Sequence, residues 1–508
     1  MECIMTNLSD LVSNSSSHTA DITATGTLPN GASVILKADG TIEAVDAVLT
    51  SIPASIPAGN ETVFYSEDAE YTSISFDPNN AGKFVVCYQD DTNSGYGTAI
   101  VGTVSGTSIS FGSEYVFNSN DTYYPVVSFD PNLAGKFVVC YRDHNNSGYG
   151  MAIVGTVSGT SISFGSAAAF SSTSCGDISI SFDPNNAGKF VVCYRDGTNS
   201  GYGTAIVGTV SGTSISFGSA AVFNSGITYY TSVAFDPNNA GKFVVCYRDF
   251  SNSHYGTACV GTVSGTSISF GSEVIFQTSN WWSTTNNAVA FDPNTAGKFV
   301  VCCADTGDGY YGKIYVGTIS GTSITFGSQI LFNGSNNATH MSVAFNPDTA
   351  NELVVCYKDG GNSSYGTVIV GTVSGTSISF GSEFIFNAAA SDNNFVFFDP
   401  STAGQFVVCY KDYGNSNYGT AIVGQLDAQA VATNLTSDNF IGVSTDAYVD
   451  GETATITLPG GVSTNQSGLT AGSTYYVQAD GTLATTPSDP SVEVGKAVTP
   501  TTLLLKGL

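Results

Sequence analysis

Seven short runs hold most of the residues whose types and spacing could do chemistry. Each reads Asp-x-x-[Asn/Asp]-[Ser/Gly]-x-Tyr-Gly, opened by Asp90, Asp143, Asp196, Asp249, Asp305, Asp359 and Asp412. The residue before the Asp is basic in five runs (Arg142, Arg195, Arg248, Lys358, Lys411) and is Gln89 or Ala304 in the other two. A broken ring of cations could receive an anionic sugar. The simpler arrangement pairs each cation with a neighbouring carboxylate, and exposed pairs of that kind add little stability. Calcium would want several alternating oxygen donors and a closing acid, whereas each run usually carries one carboxylate. A turn in which the Asp accepts from nearby backbone N–H groups explains the pattern without a ligand.

The aromatic residues are a second candidate set. Trp281-Trp282 are the only tryptophans, and the corresponding connections of other repeats carry Tyr123-Tyr124, Tyr229-Tyr230 and His340. Aromatic faces stack on sugar rings and on apolar partner surfaces. The same rings could equally begin a strand and plug a central channel. No Gly-x-Ser-x-Gly elbow, His-Glu-x-x-His or phosphate loop is present, nor the Ser-x-Asp-x-Gly-x-Thr-Trp turn of sialidase propellers, so no catalytic residue is assigned. A carboxylate pair for glycoside hydrolysis stays open, because its separation is set by the fold. With only His18, His144, His254 and His340, no Cys/His zinc spacing exists, and no metal or cofactor is expected.

Fourteen basic residues against 41 acidic ones give a net charge of −27. That surface repels phosphate backbones and anionic lipid heads, which makes nucleic acid and membrane poor partners. No basic-plus-apolar leader opens the chain and no apolar run approaches about 18 residues, so signal-directed secretion and membrane insertion are not expected. Seven of the 11 cysteines (Cys87, Cys140, Cys193, Cys246, Cys302, Cys356, Cys409) recur once per repeat. Thiols in separate units cannot bridge, so they read as small packing residues in a protein folded under reducing conditions.

What must position these residues is a repeat. Variants of Phe182-Asp183-Pro184-Asn185-Asn186-Ala187-Gly188-Lys189-Phe190-Val191-Val192-Cys193-Tyr194 open at Phe76, Phe129, Phe182, Phe235, Phe291, Phe345 and Phe398. A period near fifty residues marks a repeat architecture. Each copy reads as four strands, exemplified by strand a, 124–130; b, 136–143; c, 149–157; and d, 160–170. Strand b shows no alternation, which implies protein on both faces, as in radially packed sheets. The strand-d signature Ser-Gly-Thr-Ser-Ile-[Ser/Thr]-Phe-Gly-Ser occurs six times, ending at Ser113 first and Ser382 last, and the seventh repeat stops after strand c. Its missing strand precedes the first repeat, where Gly59-Asn60-Glu61-Thr62-Val63-Phe64 matches Gly112-Ser113-Glu114-Tyr115-Val116-Phe117. The expected fold is therefore all-β: a seven-bladed β-propeller of four-stranded blades, closed by the N-terminal strand Glu61–Tyr65.

All length variation lies between the strand-d Phe and the next Phe-Asp-Pro, with steps of 18, 18, 18, 21, 19 and 18 residues. Alternating strand direction puts these d–a connections on the same rim as the b–c turns, and variable loops on a rigid scaffold tend to carry binding. Three domains follow: residues 1–50, a lead and β-hairpin around Pro29-Asn30-Gly31; 51–427, the propeller; and 428–508, a small β-domain. Ala479-Asp480-Gly481-Thr482-Leu483 echoes Ala38-Asp39-Gly40-Thr41-Ile42, which suggests related flanking modules.

The repeat Tyr-Gly-Thr-Ala-Ile-Val-Gly-Thr-Val-Ser-Gly-Thr-Ser-Ile-Ser-Phe-Gly-Ser resembles repeats in structural proteins of marine tailed bacteriophages. The segments Asn439-Phe440-Ile441-Gly442, Gly468-Leu469-Thr470-Ala471-Gly472-Ser473-Thr474-Tyr475-Tyr476-Val477 and Leu503-Leu504-Leu505-Lys506-Gly507 resemble a C-terminal module of their fibre-like appendages, and Gly26-Thr27-Leu28-Pro29-Asn30-Gly31 is similar to segments in the same group. The resemblance implies a virion protein, a tail-fibre-like appendage or decoration made in host cytoplasm and released by lysis. Its partners would be other virion proteins through the flanks, and a host-surface glycan or receptor at the rim; several copies assembling together is compatible with this. A purely structural decoration and a glycan-cleaving propeller are the alternatives.

Overall fold

The computed structural model describes residues 18–45, 47–52, 56–278, 288–305, 309–333, 337–426, 428–436, 438–478, 481–487 and 491–507. The chain divides into two compact units, Pro53–Ala428 and a second made of Met1–Ile52 with Gln429–Leu508.

The repeat unit is an antiparallel β-propeller. Strands b and c pair in one register throughout, Asp143 opposite Tyr149 in one repeat and Asp196 opposite Tyr202 in the next. Residues of strand b alternate between two cores. Phe137, Val139 and Tyr141 pack against Val85, Cys87 and Val101 of the preceding sheet, whereas Val138 and Cys140 pack against Phe190, Val192 and Tyr194 of the following one. A strand apolar on both faces needs no polar alternation, which accounts for Phe-Val-Val-Cys-Tyr. The glycine of each Val-Gly or Tyr-Gly in strand c leaves room for a ring: a Cβ on Gly155 would lie 2.0 Å from Phe137 Cζ, and one on Gly150 would lie 2.3 Å from Phe170 Cε2. The ten described cysteines are free and buried, and burial pushes the titration of those at the repeated position up, as it does Cys175, to about 12.

The ring closes on itself. Thr62–Phe76 pairs through Thr62, Val63, Tyr65 and Asp68 with Ala421, Thr420, Gly419 and Tyr418, and through its later half with Lys83–Asp90. Phe64, Phe84, Val86 and Tyr88 share a core with Val407, Cys409, Ala421 and Val423. Glu61 lies just outside the strand but accepts from Tyr410 Oη at 2.9 Å, as Glu273 does from Tyr247 at 2.7 Å and Glu383 from Tyr357 at 2.8 Å. The a strands of all the repeats line one central channel of about 560 Å³, ringed at one end by Pro78, Pro131 and their equivalents. Serines on these strands satisfy innermost N–H groups that no strand covers: Ser73 Oγ accepts from Val127 N at 3.3 Å and Ser75 Oγ from Phe129 N at 3.2 Å.

The d–a connections differ from expectation. In place of a loop between two strands, Ser108–Phe129 and Ser377–Phe398 each run unbroken for 22 residues from one sheet into the next. In the other repeats without insertion the crossing itself is also one strand, Ala168–Phe182 and Ala221–Phe235, whereas the repeats with inserted residues have separate strands, Val274–Gln277 and Ala288–Phe291, and Ile330–Leu331 and Ala338–Phe345.

The flanks also differ: the separate modules expected at 1–50 and 428–508 are one unit. Thr19–Thr23 pairs with Thr453–Thr457, and Ser33–Leu36 lies between Ile42–Ala44 and Phe440–Ser444 in a five-stranded sheet. The expected hairpin around Asn30-Gly31 does not form. The turn is there, Ala32 N donating to Pro29 O at 3.2 Å, but the strand before it pairs with the distant Thr453–Thr457. The hairpin lies one turn later, where Lys37 N donates to Thr41 O at 2.9 Å. A second sheet, from Thr474–Val477, Leu483–Ala484, Val492–Thr499, Thr502–Leu505 and Val462–Ser463, repeats this plan. Gln478 N donates to Thr482 O at 2.8 Å in its hairpin. Gly442 and Gly495 share φ +151, each where a Cβ would fall 2.1 Å from a carbonyl oxygen of the neighbouring strand. The sheets are two copies of one module, and the propeller interrupts the first copy between Ile42–Ala44 and Phe440–Ser444.

Candidate functional site

The two rims of the propeller are built from different parts of the repeat. At the Phe-Asp-Pro rim the Asp bonds within its turn, and Asp77, Asp130 and Asp292 also bond to the next repeat. Asp130 accepts from Asn132 N at 2.9 Å and from Gly188 N at 2.7 Å, and Asp77 accepts from Gly135 N at 2.8 Å. The following Asn reaches the next proline carbonyl, Asn79 to Pro131 at 3.1 Å and Asn132 to Pro184 at 3.1 Å. The most repeated motif is thus a staple between sheets, with its polar groups used up.

At the other rim described crossing segments are held by b–c turns, on both sides in the second repeat, where Thr122 N donates to Gly95 O at 2.8 Å and His144 N to Asp121 O at 2.9 Å. The turn carboxylates accept local N–H groups: Asp90 from Asn93 at 2.9 Å, Asp249 from Ser251 at 3.1 Å, Asp412 from Gly414 at 2.9 Å. This is the turn chemistry read from the sequence.

Past each clamp the segment bulges. The register slips between Tyr123 and Val126, Gly176 and Ser179, Tyr229 and Ser232, and Thr339 and Ser342. One residue per bulge is left-handed: Tyr71 (φ 51), Tyr124 (φ 54), Asp177 (φ 50), Tyr230 (φ 53), His340 (φ 48) and Asn393 (φ 53). Bulky residues with positive φ are outliers costing about 1–3 kcal/mol each, and a bulge re-aims the side chain it carries. These residues form a belt around the channel mouth. Tyr230 N donates to Asp177 Oδ1 at 2.9 Å, Asn393 N to His340 Nδ1 at 3.3 Å, and Thr72 Oγ1 to Asn393 O at 2.9 Å.

Four of the residues expected at the site come together. Tyr123 lies under the Arg142 guanidinium (5.9 Å) and beside His144 (5.3 Å). Tyr124, 37% exposed, meets the Tyr71 ring edge-on at 4.9 Å. Tyr229 packs under Arg195 at 4.8 Å and Arg248 at 5.7 Å, and contacts Tyr230 (6.1 Å) and Phe250 (5.8 Å). Burial first, then Asp177, pushes the Tyr230 phenol up, and burial first, then Tyr124, raises Tyr71 to about 12. His340 belongs to a different arc. Its Nε2 lies 3.3 Å from Asp392 Oδ1, which Lys358 Nζ also reaches at 2.8 Å, while Tyr413 Oη donates to Asp392 Oδ2 at 2.8 Å. Burial holds the imidazole below its ordinary value against the pull of Asp392, and a neutral ring matches Nδ1 acting as acceptor. Trp281 and Trp282 lie outside the described residues.

Pairing of the cations with carboxylates is present at Arg195, Lys358 and Lys411. Arg195 Nε bonds Asp177 Oδ2 at 2.7 Å, Lys358 bonds Asp392, and Lys411 bonds Asp68 and Glu70. Sequence reasoning missed Tyr71, Asp177 and Gly176. Aligning the repeats five residues before each Phe-Asp-Pro Phe picks out Tyr71, Tyr124, Asp177 and Tyr230, but only the bulge says that they share a mouth.

No protein-family model and no curated protein matches the chain. Among solved structures, the BP39L lectin from Burkholderia pseudomallei is similar over 74% of this chain and 98% of its own, at 10% identity and a TM-score of 0.52. Sqt1 from Chaetomium thermophilum (14% identity, 80% of this chain and 99% of that one, TM-score 0.46) and a chain of the Mitotic Checkpoint Complex (11%, 74% and 96%, TM-score 0.47) also align. At such identities the lectin likeness establishes the fold alone: this chain carries a β-propeller.

Proposed function

We propose that residues 53–428 are a seven-bladed propeller that displays its crossing-segment rim to a host-surface glycan, in a phage virion protein held to the particle by its flank unit and without a catalytic step. Supporting the blade count, each of the seven repeats contributes its a strand to the channel and its b–c ladder to the ring. The virion assignment rests on the resemblance of the repeats and the C-terminal segments. The observation that carries the glycan reading is the pair Tyr124 and Tyr230, held at left-handed bulges on either side of Asp177, with guanidinium groups over the adjoining Tyr123 and Tyr229 rings. Aromatic faces beside fixed hydrogen-bond donors suit a sugar ring, which offers an apolar face and a rim of hydroxyls. A lectin with a similar fold fits that use.

The test is calorimetric titration of the intact protein with polysaccharide from susceptible host cells. Tyr124→Ala with Tyr230→Ala is expected to weaken binding about tenfold or more while the melting transition stays cooperative. Undiminished binding by that folded double variant overturns the assignment of the rim. Failure of the native protein to bind any host polysaccharide overturns the glycan reading and favours a purely structural decoration.

A further inference from the structure

The third repeat interrupts the tyrosine pattern. Where its neighbours have Tyr123-Tyr124 and Tyr229-Tyr230, it has Gly176-Asp177, so a position without rings, a notch in the aromatic series, stands between two tyrosine pairs. The notch has a built floor. Arg195 lies across Gly176, where a Cβ would come within 2.8 Å of its Nη2, and is fixed by the 2.7 Å bond to Asp177 and the Tyr229 face at 4.8 Å. Guanidinium groups stand on both sides of it. Arg142 has no carboxylate partner among the described residues, and its Nε is buried without a hydrogen bond. Arg248 lies 5.7 Å from both the Tyr229 and Phe250 rings and meets His254 Nδ1. Burial first, and Arg248 second, hold His254 below its ordinary value, so that ring takes no positive charge from the arc at neutral pH and adds none.

Three adjacent repeats each bring a guanidinium to this arc, in a chain of net charge −27. Arg142 is only half-buried and bonds no carboxylate among the described residues, so the solvent-facing part of its guanidinium is open to an acceptor from outside. Arginine suits a carboxylate because its planar fork can donate two parallel bonds. The flanking phenol rings suit the ring that bears the acid.

We infer that the notch at Gly176-Asp177 binds the carboxylate of an acidic saccharide, with Arg142 as its principal partner and Tyr124 and Tyr230 stacking on the sugar. This rests on the glycan reading above and narrows it to carboxylated sugars. The experiment titrates the full chain with galacturonic acid tetrasaccharide, with its methyl-esterified form, and with a sialylated trisaccharide. The esterified form keeps the skeleton and loses the charge. Binding of one or both acids, at least about tenfold weaker for the ester and weakened similarly by Arg142→Gln, is the expected result, with Arg142→Lys retaining part of the affinity. Affinity should also fall as salt rises. Equal binding of acid and ester, or acid binding unmoved by Arg142→Gln, overturns the carboxylate site while leaving a neutral-glycan rim standing. If the acids fail to bind while neutral host glycans do, this inference alone falls; if no saccharide binds, both readings fall.

Discussion

The two rims are made from the same repeat and yet are used in opposite ways. At the Phe-Asp-Pro rim five of the seven repeats offer the same side chain to the same acceptor, Asn79, Asn132, Asn185, Asn238 and Asn294 each reaching the next proline carbonyl. At the crossing-segment rim the backbone plan recurs, bulge and turn alike, but the residue displayed at the bulge changes from Tyr to Asp to His to Asn. Identity of side chain marks where the ring is held together. Identity of backbone with changing side chain marks where a scaffold presents something.

The comparison breaks most sharply if stability and binding do not separate between the rims. Asp130 is fully buried and holds two N–H groups, one of them on the next repeat. Asp130→Ala leaves those donors unsatisfied and is expected to cost about 2–4 kcal/mol in urea denaturation, with saccharide affinity unchanged. A smaller effect is expected at the notch. In Gly176→Ala the new methyl meets only the guanidinium end of Arg195, a long side chain that can shift, so the loss of stability should stay within about 1 kcal/mol while acidic-saccharide binding falls severalfold as the guanidinium is displaced. Were Asp130→Ala to abolish binding in a folded protein, or Gly176→Ala to unfold the ring, the division between rims would not hold.

Much of this was legible in the residues because it repeats at short range. The closure of the ring could be read from a strand-d match at Glu61–Phe64, and Tyr65 opposite Gly419 bears it out. The Asp of each b–c turn announced its own hydrogen bonds. The belt at the channel mouth was not legible, because a bulge is a two-against-one count between strands and neither strand records it alone. The notch is an absence, Gly176-Asp177 where tyrosines stand elsewhere, and it has meaning only once Tyr124 and Tyr230 are known to flank it. Union of the flanks was hidden for a third reason. Ala20 lies opposite Ile456, and strand pairing across such a separation leaves no local signature, even though the echo of Ala38–Ile42 in 479–483 hinted that the ends were kin.

The finest test uses the arc that holds His340. Its imidazole sits among Asp392, Lys358 and the Asn393 backbone, accepting from Asn393 N through Nδ1, and burial lowers its titration despite the adjacent Asp392. A base with a folded pKa below its unfolded value binds more protons unfolded than folded. Stability from this group is therefore complete above about 6.5, the ordinary value for histidine, and declines as pH falls below it. The seventh repeat supplies the control, since it carries Asn393 at the equivalent left-handed position (φ 53 against φ 48). His340→Asn should keep the bulge, change stability at pH 8 by less than about 1 kcal/mol, and flatten the decline between pH 7 and pH 5. Acidic-saccharide binding at the Tyr124–Tyr230 arc should stay as it was. If instead His340→Asn moves that binding while leaving the pH slope intact, the two arcs act as one surface, and the boundary drawn between them at the channel mouth is wrong.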